Sequence, residues 1–410
     1  MTIKREPSDF SVEEILSREI VSRVSSEPGA LTLYRLTKHN LTTIDALERI
    51  AGRIRVPPRS IGYAGLKDRH ASTVQYVTIP ASRAPAEGAP EVLEMRGVRL
   101  ERIGWLADRI TADAIAGNRF RITVRDLTRR RCAELDTRRI FLSVPPAAGR
   151  SLRFVNYYGE QRFGSARHGR GIAARSLIRG NFGEALRLLV AVPDRKDSRA
   201  RRSVKLAIAA RWGNWKSLAR ALPPCPERAV VDALAASGGD FSRGFSALPY
   251  FIRQMTVEAY QSWLWNEIAR RLVAALCEPP LVRSASRFGD LLFPRGTGVP
   301  PEVASMVVPL LSPRTRLKSP WKPIVEEVLN DEGISLGDLR VPGFRTPYFG
   351  EVERRVVVEA QEFRLGPLER DESATDPTRF KRSVRFFLPR GSYGTVLLRA
   401  LGSKPYPIPG

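Results

Sequence analysis

GYAGLKDRHASTVQ, residues Gly62 to Gln75, is the stretch on which the reading of this 410-residue chain turns. Asp68 sits in a short turn between Lys67, Arg69 and His70, just ahead of the alternating run Thr73 to Ile79 (TVQYVTI), which reads as a strand. Neighbouring cations favour the ionised carboxylate. Gly62 and Gly65 are expected to let backbone approach a ligand closely. A pre-positioned, ionised carboxylate can act as a nucleophile at a sugar carbon. On charge pattern alone, a salt-bridged surface turn is the more common outcome of such a cluster.

Upstream, Ala30 to Leu36 (ALTLYRL) alternates as a strand. Thr43 opens a helix with apolar residues at Ile44, Leu47, Ile50 and Ile54, and Val56-Pro57-Pro58 stops it. Downstream, strands are expected at Val98 to Trp105 and Phe120 to Val124, and residues 81–90 (ASRAPAEGAP) read as an exposed loop. Ile172 to Ile178 and Phe182 to Val190 are helical in period, split by Gly180 and Asn181. DRKDSRARR, residues 194–202, reads as a solvated linker able to meet phosphate. Residues 203–275 are mostly helical in period. Tyr260 to Val273 is the clearest amphipathic segment, with Trp263 and Trp265 as packing residues. Proline punctuates 279–323, and strands return at Val356 to Val358 and Val384 to Leu388.

The chain carries 67 Lys and Arg against 43 Asp and Glu, a formal charge of +24. Such an excess favours a polyanionic partner, because each neutralised phosphate releases counterions. It does not separate an enzyme from a passive RNA binder. Cys132, Cys225 and Cys277 form no CxxC pair, so neither a zinc site nor a disulfide framework is expected. The opening residues MTIKREPSDFSVEEI lack the apolar stretch of a signal peptide. The most apolar window, Ala185 to Val192, is short and interrupted by Arg187. A cytoplasmic protein outside the membrane is expected.

The stretch around Asp68 closely resembles the active-site motif of the TruD family of pseudouridine synthases. There a glycine-rich segment leads into Lys-Asp-Arg/Lys-His-Ala and Thr-x-Gln. Three further segments resemble the family in the family's order. Lys4-Arg-Glu-Pro7-Ser-Asp9-Phe10-x-Val12-x-Glu14 is similar to its opening segment. Asn156-Tyr157-Tyr158-Gly159-Glu160-Gln161-Arg162-Phe163-Gly164 is similar to its Asn-x-Phe-Gly-x-Gln-Arg-Phe-Gly, with Tyr158 where the family usually has Phe. Leu388-Pro-Arg-Gly391-Ser392-Tyr393-Gly394-Thr395-x-x-Leu398-Arg399 resembles its C-terminal segment, where Ser392 and Thr395 are candidates to cap a helix. Ala259 to Asn266 (AYQSWLWN) resembles a segment of the family's inserted domain. The resemblance is densest over residues 4–182.

The resemblance implies an α+β fold: a pseudouridine synthase core with a mixed, mostly antiparallel sheet and flanking helices, interrupted by a mainly helical TRUD insertion. The core would span 1–181 and 346–410, and the insertion 182–345. It implies isomerisation of uridine to pseudouridine in RNA, at position 13 of tRNA, without metal or cofactor. Asp68 would be the nucleophile, attacking the ribose or promoting glycal formation. Lys4 would pair with that carboxylate. Tyr158 would stack on the flipped uracil, Asn156 would orient its loop, and Arg162, Phe163, Arg69 and His70 would contact substrate. The partner would be RNA, with a monomer favoured. A catalytically silent RNA-binding protein or chaperone that keeps the fold is the alternative. A zinc deaminase lacks ligands here, since His39, His70 and His168 are scattered and no Cys pair exists. A metal nuclease would want clustered carboxylates, and none stands out.

Overall fold

A computed structural model of the chain describes residues 2–81, 90–145, 150–166, 168–194 and 196–402. It falls into two compact units. The first comprises residues 1–154, 295–298 and 358–410, and the second 155–294 and 299–357. Most of the expected exposed loop at 81–90 lies outside the described residues.

The first half of unit one supplies β1 (Phe10–Leu16), β2 (Leu31–His39), β3 (Gly62–Tyr63), β4 (Ser72–Pro80), β5 (Val92–Met95), β6 (Val98–Leu106), β7 (Ile115–Leu127) and β8 (Leu152–Val155). Helices α1 (Arg18–Ser22), α2 (Thr43–Ile54) and α3 (Arg129–Leu142) are interspersed. Helix α2 forms where its period demands. Thr42 caps it in a reciprocal box with Asp45, and Arg55 ends it in a left-handed conformation before the two prolines. Its buried stripe of Ala46, Leu47, Ile50, Ala51 and Ile54 packs on Leu36, Val77 and Leu100 of the sheet. Each such large aliphatic side chain contributes roughly 1.5–3 kcal/mol on burial.

Unit two is mainly helical. It holds α4 (Ala173–Leu177), α5 (Phe182–Leu186), α6 (Arg199–Ala210), α7 (Trp215–Ala221), α8 (Arg228–Ala236), α9 (Phe241–Ser246), α10 (Tyr250–Leu276), α11 (Pro301–Ser305) and α12 (Lys322–Glu332). Two small antiparallel ribbons accompany them: β9 (Val282–Ser284) with β10 (Leu291–Phe293), and β11 (Val307–Pro309) with β12 (Glu353–Arg355). The expected helix over Phe182 to Val190 is α5 continued by a wider π turn over Arg187–Ala191. Of the stretch read as a solvated linker at 194–202, residues 198–202 are exposed as expected but enter α6, which Ser198 caps, and the Asp197 side chain is nearly buried, 2.8 Å from Lys205 Nζ. Local charge could not reveal that Lys205, one helix turn beyond the run, would cover it. Unit two begins at residue 155, ahead of the expected insertion start at 182, because residues 160–177 pack against α10 and share its core.

The chain then returns to unit one through β13 (Val357–Leu365), β14 (Glu369–Arg370), β15 (Phe380–Pro389) and α13 (Gly394–Ala400). Among the described residues the main sheet has eleven strands. Nine run in the order β5-β6-β2-β4-β1-β7-β15-β13-β8, with β14 beside β15 and β3 beside β4. β1 and β4 are parallel. The β2–β4, β2–β6, β1–β7, β7–β15 and β15–β13 pairs are antiparallel. This is the expected α+β class.

Strand alternation gives the sheet two unlike faces. One carries Phe10, Val12 and Glu14 of β1, Thr73 and Gln75 of β4, and Phe120, Ile122, Val384 and Phe386 of β7 and β15, all buried. The rings of Phe10, Phe120 and Phe386 pack in sequence along it, with centroids 6.2 and 5.1 Å apart. The other face carries Arg35, Glu13, Arg119, Arg121 and Arg385, polar and largely accessible.

Candidate active site

Asp68 lies in the loop between β3 and β4, with its side chain 32% exposed. Lys4 reaches it from a position 64 residues away in sequence, donating from Nζ to Asp68 Oδ2 at 2.5 Å. Lys4 is 14% exposed and sits 4.0 Å from the Phe10 ring centroid, on the apolar face of the sheet. Its φ of 63° is one that a non-glycine residue rarely adopts. The chain start is held in place by Arg125. Backbone bonds join Thr2 and Arg125 in both directions, and the Arg125 side chain donates to the buried Asp9 and Asp371 at 2.8 and 2.9 Å. The segment that carries Lys4 is thereby anchored to the sheet.

A second lysine serves the loop from beneath. Lys38, on β2, is fully buried, and its Nζ donates to the carbonyl oxygens of Leu41 at 2.7 Å and of Asp68 at 3.0 Å. Burial pulls its pKa from 10.5 down to about 8, against the opposing pull of Asp68. Nothing in the strand pattern singled out this residue. Lys67, read as a cation flanking Asp68, has another commitment: its Nζ lies 2.6 Å from Glu14, whose side chain is fully buried. The Lys67 N–H donates to Thr43 Oγ1 at 2.9 Å, and that hydroxyl donates to Gln75 Oε1 at 3.0 Å. Helix α2 and strand β4 thus fix the residue just before Asp68. Arg69 and His70 follow it on the surface, both exposed.

Gly62 has a different reason from the expected one. A Cβ there would lie 2.3 Å from Thr78 Oγ1, which accepts from the Ile110 N–H, so the glycine serves packing within the sheet. A Cβ at Gly65 would meet nothing within 4 Å. The C-terminal segment also departs from expectation. Tyr393 takes the N-cap position of α13 without a side-chain capping bond, and Ser392 Oγ is buried without a partner, so neither Ser392 nor Thr395 caps the helix.

The Asn156 to Gly164 segment lies in unit two, where a residue from β12 organises it. Arg354, 8% exposed, donates from its guanidinium to the Asn156 carbonyl at 2.8 and 2.6 Å and to Asn156 Oδ1 at 2.9 Å. The same guanidinium lies 4.0 Å from the Tyr158 ring centroid. Trp265 meets the Tyr158 ring edge-on at 5.7 Å. Asn266 accepts from the Tyr158 N–H and donates to its carbonyl, at 2.8 and 3.1 Å. Tyr158 is 9% exposed. Arg162 pairs with Glu258 at 2.8 Å and donates to Ser262 Oγ at 3.1 Å. Phe163 is buried and stacks on Phe288 at 4.3 Å, so its ring supports the turn. Trp265 is packed as expected, with Nε1 on the Val308 carbonyl at 2.9 Å. Among the described residues no group of three or more His, Cys, Asp or Glu side chains is placed to hold a metal ion, and no helix is long and apolar enough to cross a membrane.

The profile described as tRNA pseudouridine synthase D (TruD) matches residues 1–281. A protein of Aquifex aeolicus named tRNA pseudouridine synthase D is 29% identical, over 97% of this chain and 97% of its own. A relative of Methanopyrus kandleri, named "Probable tRNA pseudouridine synthase D", is 31% identical over 91% of this chain and 86% of its own. A crystal structure described as that of the "Putative tRNA pseudouridine synthase D (TruD)" from Methanosarcina mazei superposes with a TM-score of 0.70 at 24% identity, covering 98% of this chain and 94% of that one.

Proposed function

Because this chain belongs to the TruD family of tRNA pseudouridine synthases, we propose that it isomerises uridine to pseudouridine in tRNA, with Asp68 as its nucleophile and position 13 as its target. The observation that carries the reading is the Lys4–Asp68 contact: two residues from separate motifs meet at 2.5 Å on a carboxylate that remains open to solvent. Ordinary surface salt bridges do not have one partner buried over an aromatic ring and a second ammonium bonded to the same residue's carbonyl.

In this reading Asp68 attacks the ribose or promotes formation of a glycal. The glycosidic bond from uracil N1 breaks, the uracil turns in place, and its C5 joins the sugar. The proton on C5 is then lost. The chemistry requires no metal or cofactor. Lys4 pairs with the carboxylate and aims it. Tyr158 supplies a stacking ring, which a phenolic hydroxyl leaves intact. Asn156 and Arg354 fix the backbone that carries it, and Arg162 is available to RNA by exchange with Glu258. Arg69 and His70 stand where a bound strand can meet them, and Phe163 acts through the turn it supports.

Asp68→Asn is the test. Pseudouridine in tRNA, mapped by carbodiimide adducts, should disappear while tRNA affinity stays within a few-fold of the wild type. Normal turnover by this variant would refute the role of Asp68. Tight tRNA binding with no isomerisation by the wild type would favour the silent RNA-binding alternative.

A further inference from the structure

Strands β7, β15 and β13 lie side by side, and their register sets Arg121 directly opposite Arg385, and Arg385 directly opposite Arg364. All three are exposed, while Phe120, Ile122, Val384, Phe386 and Phe363 between them are buried on the reverse. Like charges directly opposite one another destabilise a sheet. Here three arginines stand in a row about 10 Å long, two strand spacings. Along the same face, other cations are neutralised. Arg35 contacts Glu13 and Glu101, and Arg119 contacts Glu13 and Glu362. Arg121, Arg364 and Arg385 have no ion pair or side-chain hydrogen bond among the described residues, and neither does Arg150. Arg150, Arg364, Arg385 and Arg119 line an open groove of about 460 Å³ with Gln361 and Glu362.

This face is not the one that carries Asp68. Lys4 Nζ sits over the Phe10 ring, Phe10 packs on Phe120, and Phe120 packs on Phe386. Those rings project from the face opposite to Arg119, Arg121 and Arg385. A row of uncompensated guanidinium groups in register suits a ligand with regularly spaced anionic oxygens, since each planar fork can meet two of them. We propose that the β7–β15–β13 face is a second RNA-binding surface, taking the sugar–phosphate backbone on the side of the sheet away from the reacting nucleotide. The inference rests on the reading of the chain as a tRNA-modifying enzyme, and it assigns a contact surface beyond the reacting site.

The test is a full-length variant carrying Arg121→Gln, Arg364→Gln and Arg385→Gln. Its control carries Arg18→Gln, Arg53→Gln and Arg130→Gln, which remove the same charge from scattered exposed positions. Each phosphate contact contributes roughly 0.7–0.9 to the log–log salt slope. The row variant should therefore lose about 2 to 3 in slope and bind RNA on the order of tenfold to a hundredfold more weakly near 0.1 M salt. Turnover at saturating tRNA should be unchanged, and the control should shift little. Loss with whole tRNA but not with a short stem–loop bearing the target uridine assigns the row to the rest of the substrate. Loss confined to an RNA duplex of unrelated sequence assigns it to a second RNA strand. A row variant that matches its control in affinity and slope for both RNAs overturns the inference. A wild type that binds tRNA without isomerising it overturns the functional reading instead.

Discussion

Replacing Lys38 by methionine isolates the least expected part of the site. The ammonium is fully buried and donates to two carbonyl oxygens, one of them belonging to Asp68. Lowering its pKa from 10.5 to about 8 corresponds to about 3 kcal/mol of destabilisation for holding the charged form, at 1.36 kcal/mol per pH unit. The folded chain releases this proton more readily than the unfolded one. The cost is therefore present in full below about pH 8 and relieved as pH rises from about 8 towards 10.5, so stability from this group increases with pH there. Burial is the main cause. The Asp68 and Asp45 carboxylates raise the value, and the Lys67 ammonium lowers it further. Methionine removes the charge but strands two carbonyls, at about 1–3 kcal/mol each. The two effects are of similar size, so Lys38→Met should melt within a few degrees of the wild type at pH 7 and lose the rise in stability above pH 8. Catalysis should respond differently. A loop no longer held by its carbonyl can displace the carboxylate by about 1 Å, which costs on the order of a hundredfold in rate. Single-turnover pseudouridine formation at saturating tRNA should fall by that factor with tRNA affinity unchanged, since a fully buried side chain cannot touch RNA. A variant with wild-type kcat would refute the positioning role. An unchanged stability rise above pH 8 would refute Lys38 as the titrating group.

Four further outcomes are expected. Lys4→Gln, which keeps a donor but drops the charge, should reduce single-turnover rate by roughly tenfold to a hundredfold, with Lys4→Arg recovering part of it. Arg125→Met leaves the buried Asp9 and Asp371 without their cation and should destabilise by about 3–5 kcal/mol in urea unfolding. Burial opposes ionisation of Asp371, but the Asp126 N–H and the Arg125 guanidinium outweigh it and hold the carboxyl below its ordinary 3.8. Its stabilisation is thus complete above that value and lost as pH falls through the lowered one, a loss that Asp371→Asn should abolish in acid unfolding curves. Tyr158→Phe should keep turnover within about threefold, whereas Tyr158→Leu should lose roughly 1–3 kcal/mol of stacking, read as a five- to 150-fold loss in kcat/KM.

The legible parts of this protein were those whose cause is local. Helix α2 is written in the spacing of Leu47, Ile50 and Ile54 and in the two prolines behind it. Strand β4 is written in the alternation from Thr73 to Ile79. The meeting of Lys4 and Asp68 followed from motif resemblance alone, because nothing local links residues 64 positions apart. Lys38 escaped notice because a lysine at the end of a strand reads as solvated; only the loop laid over it buries the ammonium. Arg354 escaped for the same kind of reason, being 198 residues from the Asn156 carbonyl it holds. Ser392 and Thr395 had the right chemistry for a helix cap, yet Tyr393 takes that position. Gly62 was picked out for close approach to a ligand, but the neighbour is Thr78 of its own sheet.

Three lysines converge on the Asp68 loop, and their partners explain why only one of them is available to the chemistry. Lys67 is matched one to one by the buried Glu14, and Lys38 is held by carbonyl oxygens. Lys4 pairs with the Asp68 carboxylate itself. If Asp68 bonds to the ribose, its negative charge passes to the departing uracil. Lys4 is then left 14% exposed without its carboxylate, and a largely buried ammonium lacking a counter-charge is costly even over an aromatic face. Holding the uracil anion nearby restores the balance, and diffusion of that anion into solvent would not. The Lys4 charge that faces the Asp68 carboxylate before the reaction therefore favours retention of the base while it turns to present C5. A glycal route asks less of Lys4, because Asp68 regains its charge whenever it passes on the proton it accepted. The size of the Lys4→Gln defect in bond cleavage, compared with its defect in rejoining, separates the two.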